Sequence, residues 1–241
     1  MSQLISSASF SISKSDDLEN SDAVLMPKKV GNGYLFAVAD GVGKSIGAQK
    51  ASQIAIEVLD KASAINEKLD LESYFHKIRK EFISISSKNS NYYNMATTLT
   101  ACYVTEHAVQ YAHTGDSRLY ILKNGKLSQK TQDQTEHAYL ISQGIITEKQ
   151  SKTLSRSNVL MSALSPKMDV NINKGSFELK SRSSSLILMT DGAYRFWEKN
   201  PKFSKSTMDD INIFASSLKK RILTSGPIDD FSFVAGEFQV S

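Results

Sequence analysis

The sequence predicts an α+β fold in which helices cover antiparallel sheets. Two amphipathic helices follow a buried strand early in the chain, a third helix lies late, and the strands between them are joined by hairpins. The apolar stripes of the helices need a sheet to cover, and hairpin connections make neighbouring strands antiparallel. The regular alternation of strands and helices that indicates a doubly wound parallel sheet is not seen.

The first predicted elements are a strand and two helices. Residues 34–39 are continuously apolar and end at Asp40-Gly41-Val42-Gly43, which predicts a buried strand that opens into a glycine-rich turn. This turn lacks the third glycine of a dinucleotide-binding loop and begins with an aspartate, which argues against a Rossmann motif. Apolar residues then recur at steps of three and four, which predicts two consecutive helices over about 46–86.

Strand patterns return in the middle of the chain. Strands are predicted at residues 97–104, 108–113, 118–122 and 126–130. The connection between the last two contains Asn124-Gly125, a strong hairpin signal. These strands therefore form an antiparallel meander.

The last part of the chain is predicted to contain helices and two further strands. Residues 133–156 are polar, with two weak helical stretches around Gly144. Residues 185–190 form a buried strand that ends at Asp191-Gly192, an amphipathic helix covers 208–222, and 231–238 form the closing strand.

Composition excludes several classes of function. The 241 residues, 40% of them hydrophobic, predict a single domain over 1–241 with a sizeable core. The 29 basic and 25 acidic residues give a net charge of +4 without an arginine-rich block, which argues against a nucleic-acid partner. One cysteine and four histidines exclude a disulfide framework and a Cys/His zinc site. No membrane span or secretory signal is visible, so we expect a cytoplasmic location.

Aspartates at the ends of predicted strands are the most informative feature. They are Asp22, Asp40, Asp116, Asp191 and the pair Asp229-Asp230. A carboxylate that directly follows a buried strand is held on a rigid element, and oxygen ligands suit hard cations such as Mg²⁺ and Mn²⁺. Asp-Gly is also a common turn dipeptide, so each aspartate alone is weak evidence, and the spaced set carries the prediction.

These aspartates belong to a longer series of motifs. In chain order they are Asn20-Ser21-Asp22-Ala23, Ala39-Asp40-Gly41-Val42-Gly43, Ala96-Thr97-Thr98-Leu99, His113-Thr114-Gly115-Asp116-Ser117-Arg118-Leu119-Tyr120, Leu127 through Thr131 with Asp133, Asn158-Val159-Leu160 with Ala163-Leu164, Thr190-Asp191-Gly192 and Asp229-Asp230-Phe231-Ser232. The series resembles the metal-dependent protein Ser/Thr phosphatases of type 2C in their bacterial form. The resemblance covers about residues 10–238, and Gly-Asp-Ser-Arg is its most specific piece.

The resemblance implies a fold and a metal centre. The fold is a four-layer α-β-β-α sandwich, two mainly antiparallel sheets flanked by helices, with two Mn²⁺ or Mg²⁺ ions in a cleft at one end. The implied ligands are Asp40, the Gly41 carbonyl, Asp191 and Asp229, with Asp22 near one ion and Asp116 helping to hold a third. Asp40 and Asp191 then hold the water that the ions activate for attack on phosphorus.

The chain departs from the family pattern at the place that grips phosphate. The family carries an arginine five residues before the first motif's aspartate, where this chain has Asp17. Three basic residues are candidates to replace it, namely Lys14, Lys44 and Arg195, and the alternative that they are solvated surface charges stays open. Asp230 stands where asparagine is frequent, a change that keeps an oxygen and removes an amide donor.

Four other side chains have structural interpretations. Cys102 is expected to be a small buried residue. His113 is expected to be a hydrogen-bonded core residue, Trp197 a packing residue, and Arg118 the member of a structural ion pair. Residues 145–157 correspond to the family's variable flap beside the cleft.

Three hypotheses about function follow. The first is a protein phosphatase that removes phosphate from phosphoserine and phosphothreonine of a phosphoprotein and opposes a Ser/Thr kinase. This hypothesis expects a monomeric signalling enzyme in the cytoplasm, with no membrane or nucleic-acid partner. The second is a phosphatase-like binding or regulatory module with weakened catalysis. The third is a metal-dependent hydrolase of other phosphoesters.

Overall fold

Two antiparallel sheets pack face to face and carry helices on their outer faces. The computed structural model describes residues 3–43, 46–64, 69–106, 108–151, 153–154, 159–179 and 183–239. The strands are β1 (Gln3–Ile12), β2 (Asp22–Val30), β3 (Gly33–Asp40), β4 (Leu99–Val104), β5 (Val109–Thr114), β6 (Arg118–Lys123), β7 (Lys126–Gln129), β8 (Asn173–Phe177), β9 (Ser183–Met189) and β10 (Phe231–Gln239). The helices are α1 (Ile46–Asp60), α2 (Leu71–Lys88), α3 (Glu136–Ser142), α4 (Glu148–Ser151), α5 (Asp191–Lys199), α6 (Lys205–Met208) and α7 (Ile211–Ser225).

Each sheet has five strands. The first has the order β1-β10-β9-β6-β7 and the second the order β2-β3-β4-β5-β8. All neighbouring strands run antiparallel. None of the helices in the described ranges is both long enough and apolar enough to span a bilayer.

Alternation along the strands separates the core into three layers. On β3, Phe36 and Val38 face the other sheet, while Leu35 and Ala37 face the helices α1 and α2. The middle layer lies between the sheets, and a third layer lies between the first sheet and helices α5, α6 and α7. Because successive residues of a strand point to opposite faces, a strand that is apolar on both faces is buried between a sheet and a helix layer.

This architecture confirms the predicted α+β class and the four-layer sandwich. The two helices predicted over 46–86, the four strands predicted over 97–130 and the last strand are all present. The four strands do not form one meander, because β4 and β5 belong to the second sheet and β6 and β7 to the first. The predicted hairpin joins β6 to β7, and Asn124 and Gly125 adopt positive φ angles of 52° and 71°. Left-handed backbone at both central residues is what a tight hairpin turn of this type requires.

The prediction was wrong about the meander and about the late helix, and it was silent on other elements. The late helix is divided into α6 and α7, because Asp210 caps α7 by accepting hydrogen bonds from the backbone N–H groups of Asn212 and Ile213 at 2.8 and 3.1 Å. We predicted no element for β1, β2, β8 or α5. The strands β1, β2 and β8 lie at sheet edges, where one side of the backbone is unpaired, and β1 and β8 have weak apolar patterns.

Candidate metal centre

The ends of three strands in the second sheet bring three of the predicted aspartates together. Asp22 begins β2 and pairs directly with Asp40 at the end of β3. Leu99 begins β4 and pairs with Thr114 at the end of β5, two residues before Asp116. Antiparallel register therefore places all three carboxylates at the same end of this sheet.

The first sheet contributes the remaining aspartates from the facing edge. Met189 at the end of β9, two residues before Asp191, pairs with Phe233, and Asp229 and Asp230 immediately precede β10. A cavity of about 820 Å³ lies at this end of the sandwich. Its lining includes Asp40, Gly41, Asp116, Asp191, Asp229 and Asp230.

Asp22 lies beneath the cavity with an unpaired oxygen. Its side chain is buried, and Oδ2 accepts a hydrogen bond from Thr190 Oγ1 at 2.7 Å. The other oxygen, Oδ1, is buried and has no hydrogen-bond partner among the residues that the structure describes. A buried carboxylate oxygen without a partner loses its hydration and gains nothing in return. A cation bound next to it would satisfy this oxygen.

Two threonines of the Ala96-Thr97-Thr98-Leu99 motif fix the backbone of Asp40. The Asp40 carbonyl accepts hydrogen bonds from Thr98 N at 2.8 Å and Thr97 Oγ1 at 2.9 Å, and the Asp40 N–H donates to Thr98 Oγ1 at 3.1 Å. Thr98 Oγ1 also lies 2.8 Å from Ser117 Oγ. The motif therefore ties the end of β3 to the loop that carries Asp116.

A buried histidine supports the same loop. Thr100 Oγ1 donates to the Ser117 carbonyl at 2.8 Å, and His113 Nδ1 lies 2.8 Å from the same hydroxyl. His113 Nε2 lies 3.2 Å from the Gln132 carbonyl oxygen. Burial lowers the pKa of His113 to about 4, so the ring is neutral at physiological pH. The structure confirms the predicted core role of His113.

Asp191 begins helix α5 and contacts a cation one turn later. Arg195 Nη2 lies 3.2 Å from Asp191 Oδ2 and 3.5 Å from Asp116 Oδ2. Burial opposes the charge of Arg195, but Asp191, Tyr194 and Asp116 together outweigh burial and raise the Arg195 pKa above its ordinary value. One guanidinium therefore balances two carboxylates that come from different loops.

Asp229 and Asp230 have different surroundings. Asp229 is exposed, and its Oδ1 lies 3.5 Å from Lys14 Nζ. Asp230 is buried and accepts hydrogen bonds from the backbone N–H groups of Lys14 at 3.0 Å and Ser21 at 2.7 Å. Asp230 therefore holds residues 14–21 against the cavity. This role needs only acceptors, which explains why aspartate serves where the family often has asparagine.

Mutual repulsion and burial act on the clustered carboxylates. Burial raises the pKa of Asp22 and of Asp116 to about 7 each, and the charge of Asp191 adds to the effect at both. Burial, followed by the charges of Asp22 and Asp191, raises the pKa of Asp40 well above its ordinary value. Negative charge is thus concentrated at one place without enough internal cations to balance it.

The donor set fits a hard divalent cation, although its members now contact other groups. In the described part of the chain, no three His, Cys, Asp or Glu side chains are already gathered in a geometry that would hold a metal ion. The carboxylates instead contact Thr190, Arg195 and Lys14. All donors are oxygens, as Mg²⁺ and Mn²⁺ prefer, and the unpaired Asp22 Oδ1 is a further oxygen that a cation could bind.

The three phosphate-binding candidates have different positions. Lys14 lines the cavity, and it is the only lysine or arginine that does so among the described residues. Arg195 contacts Asp116 and Asp191 instead. Lys44 lies outside the described residues, as do parts of the 145–157 flap. Asp17, at the place of the family arginine, is exposed at the cavity.

The other structural interpretations agree with the structure. Arg118 forms a two-point ion pair with Asp133 and a second pair with Glu198. Cys102 is fully buried between the sheets, and burial raises the pKa of its thiol. Trp197 packs against the core on the outer side of the first sheet.

Sequence reasoning missed three positioning roles. Thr190 orients Asp22, Thr98 fixes Asp40 and Asp230 anchors residues 14–21. Each of these residues belongs to a motif that the sequence singled out. Their partners are far away along the chain, however, so the sequence alone does not reveal the contacts.

Comparisons of the sequence with family models and with curated proteins identify relatives of this chain. The family model described as Protein phosphatase 2C matches residues 13–223. Among curated proteins, the serine/threonine phosphatase Stp of Listeria monocytogenes serotype 4b is 29% identical over 169 residues, which cover 67% of each chain.

Solved structures share the fold at low sequence identity. Serine/threonine phosphatase Stp1 from Staphylococcus aureus superposes with a TM-score of 0.83 at 20% identity, covering 99% of this chain and 96% of that one. The catalytic domain of the phosphatase PstP, solved in complex with two manganese ions, superposes with a TM-score of 0.77 at 23% identity over 98% of both chains. These likenesses establish the fold.

Proposed function

Because this chain belongs to the protein phosphatase 2C family, we propose that it is a metal-dependent protein serine/threonine phosphatase that hydrolyses phosphoserine and phosphothreonine. The observation that carries the proposal is the convergence of aspartates from separate loops on one cavity, above a buried carboxylate with an unpaired oxygen. The curated relative named Stp is described as a serine/threonine phosphatase, which supports the same activity here.

The residues that would hold the ions follow from their positions. Asp40, the Gly41 carbonyl, Asp191 and Asp229 line the cavity, Asp22 lies directly beside Asp40, and all supply oxygen donors. When bound, two Mn²⁺ or Mg²⁺ ions make hydroxide available near neutral pH and offset charge on the phosphoryl group. In the proposed reaction, Asp40 and Asp191 position the attacking water in line with the departing serine or threonine oxygen. We assign no general acid.

The backbone contacts of Asp40 make its position rigid. Three hydrogen bonds from the Thr97-Thr98 segment hold its peptide groups, so the carboxylate projects from a fixed strand end. A catalytic group held in this way loses little freedom when substrate binds, and geometry of this kind accounts for a large part of the rate enhancement in phosphoryl transfer.

Lys14 is the proposed phosphate-binding residue. Lys14 lines the cavity, its side chain is partly exposed, and its Nζ lies 3.5 Å from an oxygen of the exposed Asp229 carboxylate. An ammonium group can bind a phosphate oxygen as a point charge, whereas the family arginine would grip two oxygens. The proposal therefore includes a weaker grip on phosphate than the resemblance implies.

The wider role is proposed from the activity. The substrate is a phosphoprotein, and a Ser/Thr kinase opposes the reaction. We propose a signalling enzyme that acts in the cytoplasm as a monomer, with one catalytic domain and neither a nucleic-acid nor a membrane partner.

Hydrolysis of a phosphothreonine peptide and a small aryl phosphate, with Mn²⁺ or with a chelator, tests the proposal. We expect metal-dependent turnover of the peptide and a loss of about 100-fold or more in Asp40→Asn, since the metal contributes several kcal/mol of charge stabilisation. The matched control is Asp60→Asn, because Asp60, the last residue of α1, is exposed and pairs with Lys28.

A second candidate function is a binding module with weakened catalysis. The acidic Asp17 at the place of the family arginine favours it. Tight Mn²⁺ binding by calorimetry without peptide turnover would support the module and contradict the phosphatase. Turnover of the aryl phosphate alone would favour a hydrolase of other phosphoesters.

The role of Lys14 is tested separately by Lys14→Gln. A lost charged hydrogen bond to phosphate is worth about 1.5–3 kcal/mol, so we expect kcat/KM for the peptide to fall about 10- to 100-fold. Lys28→Gln is the control, since Lys28 pairs with Asp60. An unchanged kcat/KM in Lys14→Gln would exclude Lys14 as the phosphate ligand.

A further inference from the structure

Arg195 occupies the space between two of the predicted metal ligands. A single nitrogen, Nη2, lies 3.2 Å from Asp191 Oδ2 and 3.5 Å from Asp116 Oδ2. The side chains are 23% exposed for Arg195, 16% for Asp191 and 6% for Asp116, so water screens these contacts poorly. The resemblance assigns Asp116 to a third divalent ion, and the structure gives it a guanidinium instead.

The position of Arg195 is fixed by the helix that carries it. Asp191 is the first residue of α5, and Arg195 follows four positions later, which places both side chains on one face of the helix. Asp116 reaches the same guanidinium from the loop between β5 and β6. The contact therefore joins the two sheets at the edge of the cavity, and it forms whenever α5 packs in its present place.

A guanidinium and a divalent ion exclude one another at this pair of carboxylates. Arginine stays protonated at any physiological pH, so deprotonation cannot remove its positive charge when a divalent ion binds nearby. Divalent cations need their oxygen ligands at about 2.0–2.6 Å, which is closer than the guanidinium now lies, and two positive charges at such a separation repel strongly. Arg195 contacts Asp191 through Oδ2, which leaves Oδ1 of Asp191 for an ion on its other side.

We propose that Arg195 is a tethered cation that replaces the third divalent ion, so that this centre takes at most two ions and does not use Asp116 as a ligand. The inference rests on the proposed metal centre. It assigns Arg195 a positioning role, in which the guanidinium holds Asp116 and Asp191 together without metal. It also removes Arg195 from the candidates for phosphate binding, since the guanidinium is committed to carboxylates and does not line the cavity.

Counting bound Mn²⁺ tests the inference without using activity. Metal-stripped protein is dialysed against increasing free Mn²⁺, and the bound ions are counted by electron paramagnetic resonance, with circular dichroism as a check of folding. We expect the wild type and Asp116→Asn to bind the same number of ions, about two per chain. We expect Arg195→Gln to bind one further, weaker ion, and Arg195→Gln/Asp116→Asn to lose it.

The outcomes separate this inference from the proposed function. Arg195→Lys keeps a cation at this place and should bind as many ions as the wild type. A lower count in Asp116→Asn than in the wild type would overturn the inference even if Arg195→Gln fails to fold, and so would a folded Arg195→Gln without an additional ion. If neither the wild type nor Arg195→Gln binds Mn²⁺, the metal centre and this inference both fail.

Discussion

Replacing Arg118 by leucine removes the most extensively bonded charge in the described structure. Its Nε and Nη2 donate to the two oxygens of Asp133 at 2.8 and 2.7 Å, and Nη1 donates to Glu198 Oε1 at 2.6 Å. The guanidinium carbon lies 3.7 Å from the centre of the Tyr194 ring. These contacts join β6, the loop after β7 and helix α5, which begins at Asp191 of the metal centre.

The magnitude follows from burial. The side chains of Arg118 and Asp133 are 13% and 15% exposed, so Arg118→Leu leaves the Asp133 carboxylate poorly hydrated and without its charged partner, with only the hydrogen bond from Gln129 Nε2 at 3.0 Å left among the described residues. Breaking a buried ion pair by removing one member costs about 3–5 kcal/mol. A domain is stabilised by about 5–15 kcal/mol in total, so we expect Arg118→Leu to lose a large part of the free energy of unfolding.

Urea unfolding followed by far-ultraviolet circular dichroism measures this loss. With a slope of about 3 kcal/mol/M, the midpoint should fall by about 1–2 M with the slope unchanged. Arg79→Leu is the matched control, because the Asp169 side chain that pairs with Arg79 is 98% exposed, and it should cost about 1 kcal/mol or less. Equal losses in the two variants would refute the argument from burial.

Three further predictions concern the site and the core. The pKa values of Asp22 and Asp116 rise from 3.8 to about 7 on folding, so the folded chain binds more protons than the unfolded chain between these two pH values. Calorimetry on chelator-treated protein should therefore give a higher melting temperature at about pH 5.5 than at about pH 8. The reverse order would contradict the placement of these carboxylates. Gly192→Ala should destabilise the fold in the same urea assay, because a Cβ atom there would lie 2.1 Å from the Asp230 carbonyl oxygen; a variant as stable as the wild type would be inconsistent with this packing. The buried Cys102 thiol should react with a thiol reagent only in denaturant, and rapid labelling of the native protein would contradict its burial.

The sequence by itself determined the class of fold and the chemistry of the donors. Apolar periods of two and of three to four residues distinguish strands from helices, because each period reflects which side chains face the core. The Asn124-Gly125 turn was readable because only a few residues accept left-handed backbone. Aspartates at strand ends were also readable from local sequence, because a polar residue after an apolar run marks where the strand leaves the core.

Only the tertiary structure decided which of these residues meet. Asp22 pairs with Asp40 through the register of β2 and β3, Asp116 meets Arg195 across 79 positions in sequence, and Lys14 meets Asp229 across 215. Local patterns encode which face of an element is buried, but not the partner on the other side. Sheet register and the packing of the two sheets set those partners, and they gave Asp116 a guanidinium where the motif alone suggested a metal ion.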